Sequence, residues 1–205
     1  MKERYDRERR RRRSTRLHGY DYSQAGAYFL TICTVERRIL FGEVVDHGVM
    51  LNEAGRIVED EWLKTARIRG EIELDAWVVM PNHIHGILTI TDDGGDCSRR
   101  SRPDQRSLIT GVGVPVGGDR RVAPTGPGPR SVGAIVAGFK SASARRINAF
   151  RGTPGTSVWQ RNYHEHVIRY EAVLNRIRQY IAENPARWAE DPENPARRGP
   201  TRNRS

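Results

Sequence analysis

At 205 residues the chain can bury one substantial core with appendages, and it is polar for a globular protein, with 37% apolar and 29% charged residues, so part of it lacks the apolar content to pack. Its formal net charge of +10, dominated by arginine, points to a polyanionic partner, because the guanidinium fork matches phosphate oxygens. Two cysteines, Cys33 and Cys97, exclude a disulfide framework, and no stretch has the apolar run of a signal peptide or membrane span, so a cytoplasmic protein with no membrane partner is expected.

In chain order, residues 1–20 carry nine Lys/Arg against three Asp/Glu and include a run of arginines from 7 to 13. This is a basic arm, disordered or ordered only on binding, and its Arg9, Arg10, Arg11, Arg12 and Arg13 are candidate phosphate contacts. Structure is expected from about residue 21. Residues 27–35, AYFLTICTV, have the aromatic and β-branched content of a strand, and 39–51 form two short strands around the turn Asp46-His47-Gly48. Asn52 caps a helix from Glu53 to about Arg67, whose Ala54, Ile57, Val58, Trp62 and Leu63 recur at helical spacing. A strand from about Glu73 leads into Trp77–Ile90, WVVMPNHIHGILTI, read as a central strand with Pro81-Asn82 as a local irregularity.

Residues 91–130 are rich in glycine and proline without periodicity, a flexible linker that interrupts the domain. A helix resumes at Ser131, with Val132, Ile135, Val136, Phe139, Ala142 and Ile147 on its buried stripe and Lys140, Arg145 and Arg146 on a basic flank available to DNA. Residues 157–169 form a last strand and Glu171–Asn184 a final helix stopped by Pro185, leaving 186–205 as a basic tail. Helices alternating with strands, and no GxGxxG, predict an α+β sandwich of the ferredoxin-like or RNA-recognition type, with a mainly antiparallel sheet and helices on one face.

Chemistry is concentrated at two places. Successive strand residues point to opposite faces, so His83 and His85 project together while Ile84 enters the core. A single strand histidine is ordinarily structural, whereas two on one face can hold one metal ion. Tyr180 and Asn184 lie one turn apart on the final helix. A tyrosine hydroxyl can attack a phosphodiester and an amide oxygen can complete a metal site, but Tyr180 also continues the apolar stripe of Val173 and Ile177, and as spacing alone it reads equally as a core aromatic.

Taken together these blocks resemble a known family. Trp77-Val78-Val79-Met80-Pro81-Asn82 followed by His83-Ile84-His85 resembles the single-tyrosine HUH transposases. Trp159-Gln160-Arg161, Glu165-His166-Val167-Ile168-Arg169, Tyr180-Ile181 and Asn184-Pro185 resemble the REP-associated branch. The resemblance covers residues 20–190 without the linker. It implies a metal-dependent nuclease and strand transferase acting on hairpin or single-stranded DNA, at palindromic repeats. By position it makes His83, His85 and Asn184 ligands of Mg²⁺ or Mn²⁺, Tyr180 the nucleophile that keeps the 5′ phosphate, and Arg161 a DNA contact; His166 fits the motif with no role assigned. The family contains dimers, while the REP-associated branch works as monomers, so either a monomer or a homodimer fits.

Two other readings use the same residues. One is a non-catalytic nucleic-acid binder on this fold, acting through the arms and the basic 131–185 surface. The other, a histidine-triad phosphate hydrolase, is opposed by Ile87, which stands where a third alternating histidine would be. A zinc protease lacks its His-Glu-x-x-His.

Overall fold

The computed structural model describes residues 20–92, 128 and 130–197. The expectations for Arg9–Arg13, for Cys97 and for most of the linker lie outside these residues. The chain runs β1 (Gly26–Cys33), β2 (Gly42–Val45), β3 (Gly48–Leu51), α1 (Glu53–Ile68), β4 (Ile72–Met80), β5 (His83–Ile90), α2 (Val132–Arg151), β6 (His164–Ile168) and α3 (Glu171–Glu183). Three short 3-10 turns stand at Val35–Arg37, Trp188–Glu190 and Pro195–Arg197.

Four strands make one antiparallel sheet in the order β4-β5-β1-β6. With the β2-β3 hairpin set aside, this is the strand–helix–strand–strand–helix–strand pattern of a ferredoxin-like sandwich, as expected. Alternation along β1 and β5 separates two faces. Tyr28, Leu30, Ile32, Ile84 and Leu88 meet Ile57, Val58 and Trp62 of α1 and Ile135, Val136 and Phe139 of α2, all buried. Each such side chain removed from water contributes roughly 1.5–3 kcal/mol. The other face carries Phe29, Ile87 and Ile168, covered by Val173, Leu174, Ile177 and Ile181 of α3. Helices therefore lie on both faces, not on one, because α3 has an apolar stripe of its own and the α1/α2 layer already fills the first face.

Helix ends follow local chemistry. The Asn52 side chain accepts from Gly55 N–H at 3.0 Å, and Ser131 accepts from Ala134 N–H at 3.3 Å; both satisfy otherwise orphaned amide groups. Gly152 ends α2 in the left-handed region at φ 65°. Asp46 and His47, both at positive φ, form the two-residue turn of the β2-β3 hairpin.

The histidine stretch departs from expectation. Residues 77–90 belong to two strands, not one: β4 and β5 form a hairpin that pairs Met80 with His83. Pro81-Asn82 is its turn. The turn is pinned from outside, since Leu40 and Phe41 N–H donate to Pro81 O at 2.9 Å and Thr34 N–H to Asn82 O at 2.9 Å. The last strand is likewise shorter than 157–169. Residues 160–162 present their carbonyls to the Lys140 ammonium, at 2.9, 3.3 and 3.1 Å, and Trp159 makes only an isolated bridge to Thr34.

The tail boundary at 186 also moves. Asp191 and Asn194 are buried, and the segment to Arg197 packs onto the end of β5 through Asn82 and Arg37.

Candidate metal centre and nucleophile

β5 presents His83 and His85 on the α3 side of the sheet, where neither imidazole is more than 3% exposed. Hairpin geometry fixes the first of them. Asn82 Nδ2 donates to Arg37 O at 3.0 Å and to Glu193 O at 2.8 Å, which turns its Oδ1 toward His83 Nδ1 at 2.8 Å. An amide oxygen only accepts, so Nδ1 carries the proton and Nε2 has a free lone pair. That Nε2 is buried without a hydrogen-bond partner. His85 Nδ1 faces Thr31 Oγ1 at 2.9 Å, and its ring stacks on Phe29 with centroids 5.4 Å apart.

The third member comes from the segment read as tail. Asp191 Oδ2 lies 3.8 Å from His83 Nε2 and 3.9 Å from His85 Nε2. One ligand atom from each of the three residues falls within a 4.8 Å group that could hold a metal ion. Asp191 is positioned by Asn184 Nδ2, which donates to Oδ2 at 2.9 Å, and by Glu193 N–H, which donates to Oδ1 at 2.6 Å. Glu193 is in turn held by the Arg37 guanidinium. Arg37 reaches it from a turn in which Glu36 and Arg37 both adopt φ 54°, a left-handed conformation uncommon for such residues.

Electrostatics suit a cation. Burial, then the neighbouring His85 and Arg37, hold the His83 imidazole well below its ordinary 6.5 against the pull of Asp191, so it is neutral and able to ligate. Burial acts to raise the Asp191 carboxyl, but His85, the Glu193 N–H, His83 and Asn184 outweigh it and hold it below the usual carboxylate range. A buried carboxylate facing two imidazoles, beside an orphaned nitrogen, is a group of donors that could hold a metal ion.

Tyr180 stands at this centre. Its hydroxyl is 3.3 Å from His85 Nε2, and its ring meets Phe29 edge-on with centroids 6.1 Å apart. It is 38% exposed, unlike Ile181 and Asn184. Burial of the hydroxyl, followed by the Asp191 and Glu193 carboxylates, pushes its pKa up to about 12 against a lowering contribution from Asn184. α3 is held in this phase by Arg178, whose guanidinium grips Asp75 at 2.6–3.1 Å where β4 bulges between Leu74 and Trp77.

The residues named from sequence therefore divide. His83, His85, Tyr180 and Asn184 converge on one centre. Asn184 donates to Asp191 and keeps its Oδ1 buried and unpartnered, so it lies behind or beside the carboxylate. Asp191 was not anticipated: one acidic residue in a polar, non-periodic segment carries no signal. Lys140 is not a free basic contact, because three carbonyls occupy its ammonium, and Arg146 is paired with Asp60 and with Glu61 at 2.6 Å. Arg145 and Arg161 are exposed.

No family model matches the chain. It is 33% identical over 181 residues to an uncharacterized protein of Haemophilus influenzae, a match covering 88% of this chain and 91% of that protein. Its fold is similar to that of a REP-associated tyrosine transposase bound to a REP hairpin, at TM-score 0.47 and 19% identity, over 84% of this chain and 74% of that one. A Deinococcus radiodurans protein proposed to be a transposase aligns at TM-score 0.39 and 22% identity, over 82% and 95%.

Proposed function

We propose that this chain, which belongs to one protein family with the Haemophilus influenzae protein, is a tyrosine transposase of the REP-associated kind, a nuclease and strand transferase for hairpin or single-stranded DNA. The observation that carries this reading is the placement of the Tyr180 hydroxyl 3.3 Å from His85 Nε2, at the mouth of the buried His83-His85-Asp191 group. The Trp77–His85 and Tyr180–Pro185 stretches, both of which resemble the family, meet there.

His83 Nε2, His85 Nε2 and Asp191 Oδ2 would hold the cation, with Asn184 steering the carboxylate, and two imidazoles favour Mn²⁺ over Mg²⁺. A bound divalent ion would polarise the scissile phosphate and offset the burial and negative charge that keep the Tyr180 hydroxyl protonated. Tyr180 Oη attacks phosphorus, forming a tyrosine–phosphate ester as the bond from phosphorus to the 3′ oxygen breaks. The Tyr180 hydroxyl proton is released to water as this ester forms, and the departing 3′ oxygen takes up a proton from water and leaves as a hydroxyl, so that protons balance. Attack by a 3′ hydroxyl of another strand reverses these bond changes and rejoins DNA without a nucleotide cofactor. Phe29 and Arg178 keep the ring and helix in register for the attack.

The test is cleavage of 5′-labelled and 3′-labelled hairpin DNA with Mn²⁺. Wild type is expected to cut and Tyr180→Phe to bind without cutting; cleavage that persists in Tyr180→Phe removes the assignment. Salt-dependent binding without cleavage under any divalent ion would favour the non-catalytic binder.

A further inference from the structure

An arginine beside a site that handles DNA is first expected to hold a phosphate. The contacts of Arg37 point to a different task. It stands in the turn that follows β1, where Glu36 and Arg37 both take φ 54°. Side chains are uncommon in that region, and the conformation persists only where surrounding contacts over-determine it. Here those contacts run to both halves of the metal group. The Arg37 carbonyl accepts from Asn82 Nδ2 at 3.0 Å, the amide whose Oδ1 meets His83 Nδ1. The Arg37 guanidinium donates through Nε to Glu193 Oε2, and Glu193 N–H donates to Asp191 Oδ1 at 2.6 Å. Asn82 Nδ2 closes the circuit on Glu193 O at 2.8 Å. One residue thus reaches His83 through its backbone and Asp191 through its side chain.

Burial gives the side-chain bond its weight. The Arg37 and Glu193 side chains are 25% and 21% exposed, so removing one partner leaves the other charge largely out of water. The neighbouring Arg38–Glu36 pair, at 57% and 68%, lies in solvent and contributes little. The Cys33 thiol adds a second donor to the same Glu193 Oε2, at 3.4 Å. A tether of this kind is needed because Asp191 comes from a short turn segment, Trp188–Glu190 and its flank, with no buried apolar residue in the turn itself. Asn184 also holds Asp191, through Oδ2, so loss of the Arg37 tether should loosen the group without dispersing it.

We infer that Arg37 is a positioning residue of the metal centre, setting Asp191 against His83 through Glu193 and Asn82 while touching neither cation nor DNA. The inference rests on the proposed metal centre and is independent of DNA cleavage.

The experiment compares the full chain with Arg37→Gly, Arg37→Lys, Glu193→Ala and the Arg37→Gly/Glu193→Ala double variant. Glycine accepts the positive φ and keeps the carbonyl for Asn82, so Arg37→Gly removes the guanidinium alone. Calorimetric titration should show its Mn²⁺ affinity lowered roughly 10–100-fold. Arg37→Lys should recover part of the loss, and the double variant should lose no more than the weaker single one, because both changes break one bond. Melting temperature and, in the absence of divalent ions, affinity for hairpin DNA and its salt dependence should match wild type for Arg37→Gly. Its cleavage should shift to higher Mn²⁺ concentration more than it falls at saturation. Unchanged Mn²⁺ affinity in Arg37→Gly, or losses that add in the double variant, would overturn the inference. A fall in metal-free hairpin affinity with a shallower salt slope would also overturn it and make Arg37 a phosphate contact. The proposed centre is judged separately: uptake of no Mn²⁺ by wild type removes the centre and the inference together, whereas equal uptake by wild type and Arg37→Gly removes the inference alone.

Discussion

Asn82 has no exposed surface and joins three parts of the chain through one amide, bonding to Arg37 O, Glu193 O and His83 Nδ1. It selects the imidazole tautomer that leaves Nε2 free for a cation, a role in which substitutions lower metal affinity roughly 10–100-fold. Asn82→Ala should therefore weaken Mn²⁺ binding by that order in calorimetric titration, and an unchanged affinity would show that His83 is oriented by other means. Cys33 sits beside the same network, with its thiol 3.4 Å from Glu193 Oε2. Burial first, then the Glu193 carboxylate, pushes its pKa up from 9.0 to about 12. The unfolded thiol ionises near 9 and the folded one only near 12, so between these values the unfolded chain holds fewer protons. The associated stability is complete below pH 9 and is lost as pH rises toward 12. Native Cys33 should accordingly resist a thiol reagent at pH 8 until denaturant is added, and Cys33→Ser should flatten the alkaline fall in melting temperature.

Among the elements, the helices were the most legible. α1, α2 and α3 each combine apolar periodicity with a recognisable cap or stop, and their observed ends lie within a residue or so of the expected ones. The β4-β5 hairpin was not legible, because Pro81-Asn82 lacks a glycine and neither residue takes positive φ. Its turn exists because residues 34–41 supply partners to the Pro81 and Asn82 carbonyls, a tertiary cause that alternation along one strand cannot reveal. Packing also explains Gly86. A Cβ there would stand 2.5 Å from the fully buried Trp62 ring, so Gly86→Ala should cost about 1–3 kcal/mol through overpacking. Chemical denaturation would measure it, and a neutral result would mean that α1 can retreat from the sheet.

At the scale of the whole molecule, a single chain brings together a hairpin, a helix about a hundred residues onward and a polar C-terminal segment. The sequence identified the first two through His83, His85, Tyr180 and Asn184. It concealed the third, because Asp191 is buried by backbone turns and by Asn184, not by an apolar pattern. Ending the chain after Pro185 should leave the sheet and α3 in place while abolishing Mn²⁺ binding; retention of that binding would transfer the third ligand to Asn184, as first expected. Among the described residues no helix is long and apolar enough to cross a membrane, and all four proposed participants lie within one protomer, so cleavage by a monomer is compatible with the geometry. The most direct test of the account is to react the full chain with hairpin DNA and Mn²⁺, digest the covalent product and locate the modification by mass spectrometry. A 5′-phosphodeoxynucleotide adduct on Tyr180, missing in Tyr180→Phe and after chelation of the metal, is the predicted result; cleaved DNA with no adduct on that residue would contradict it.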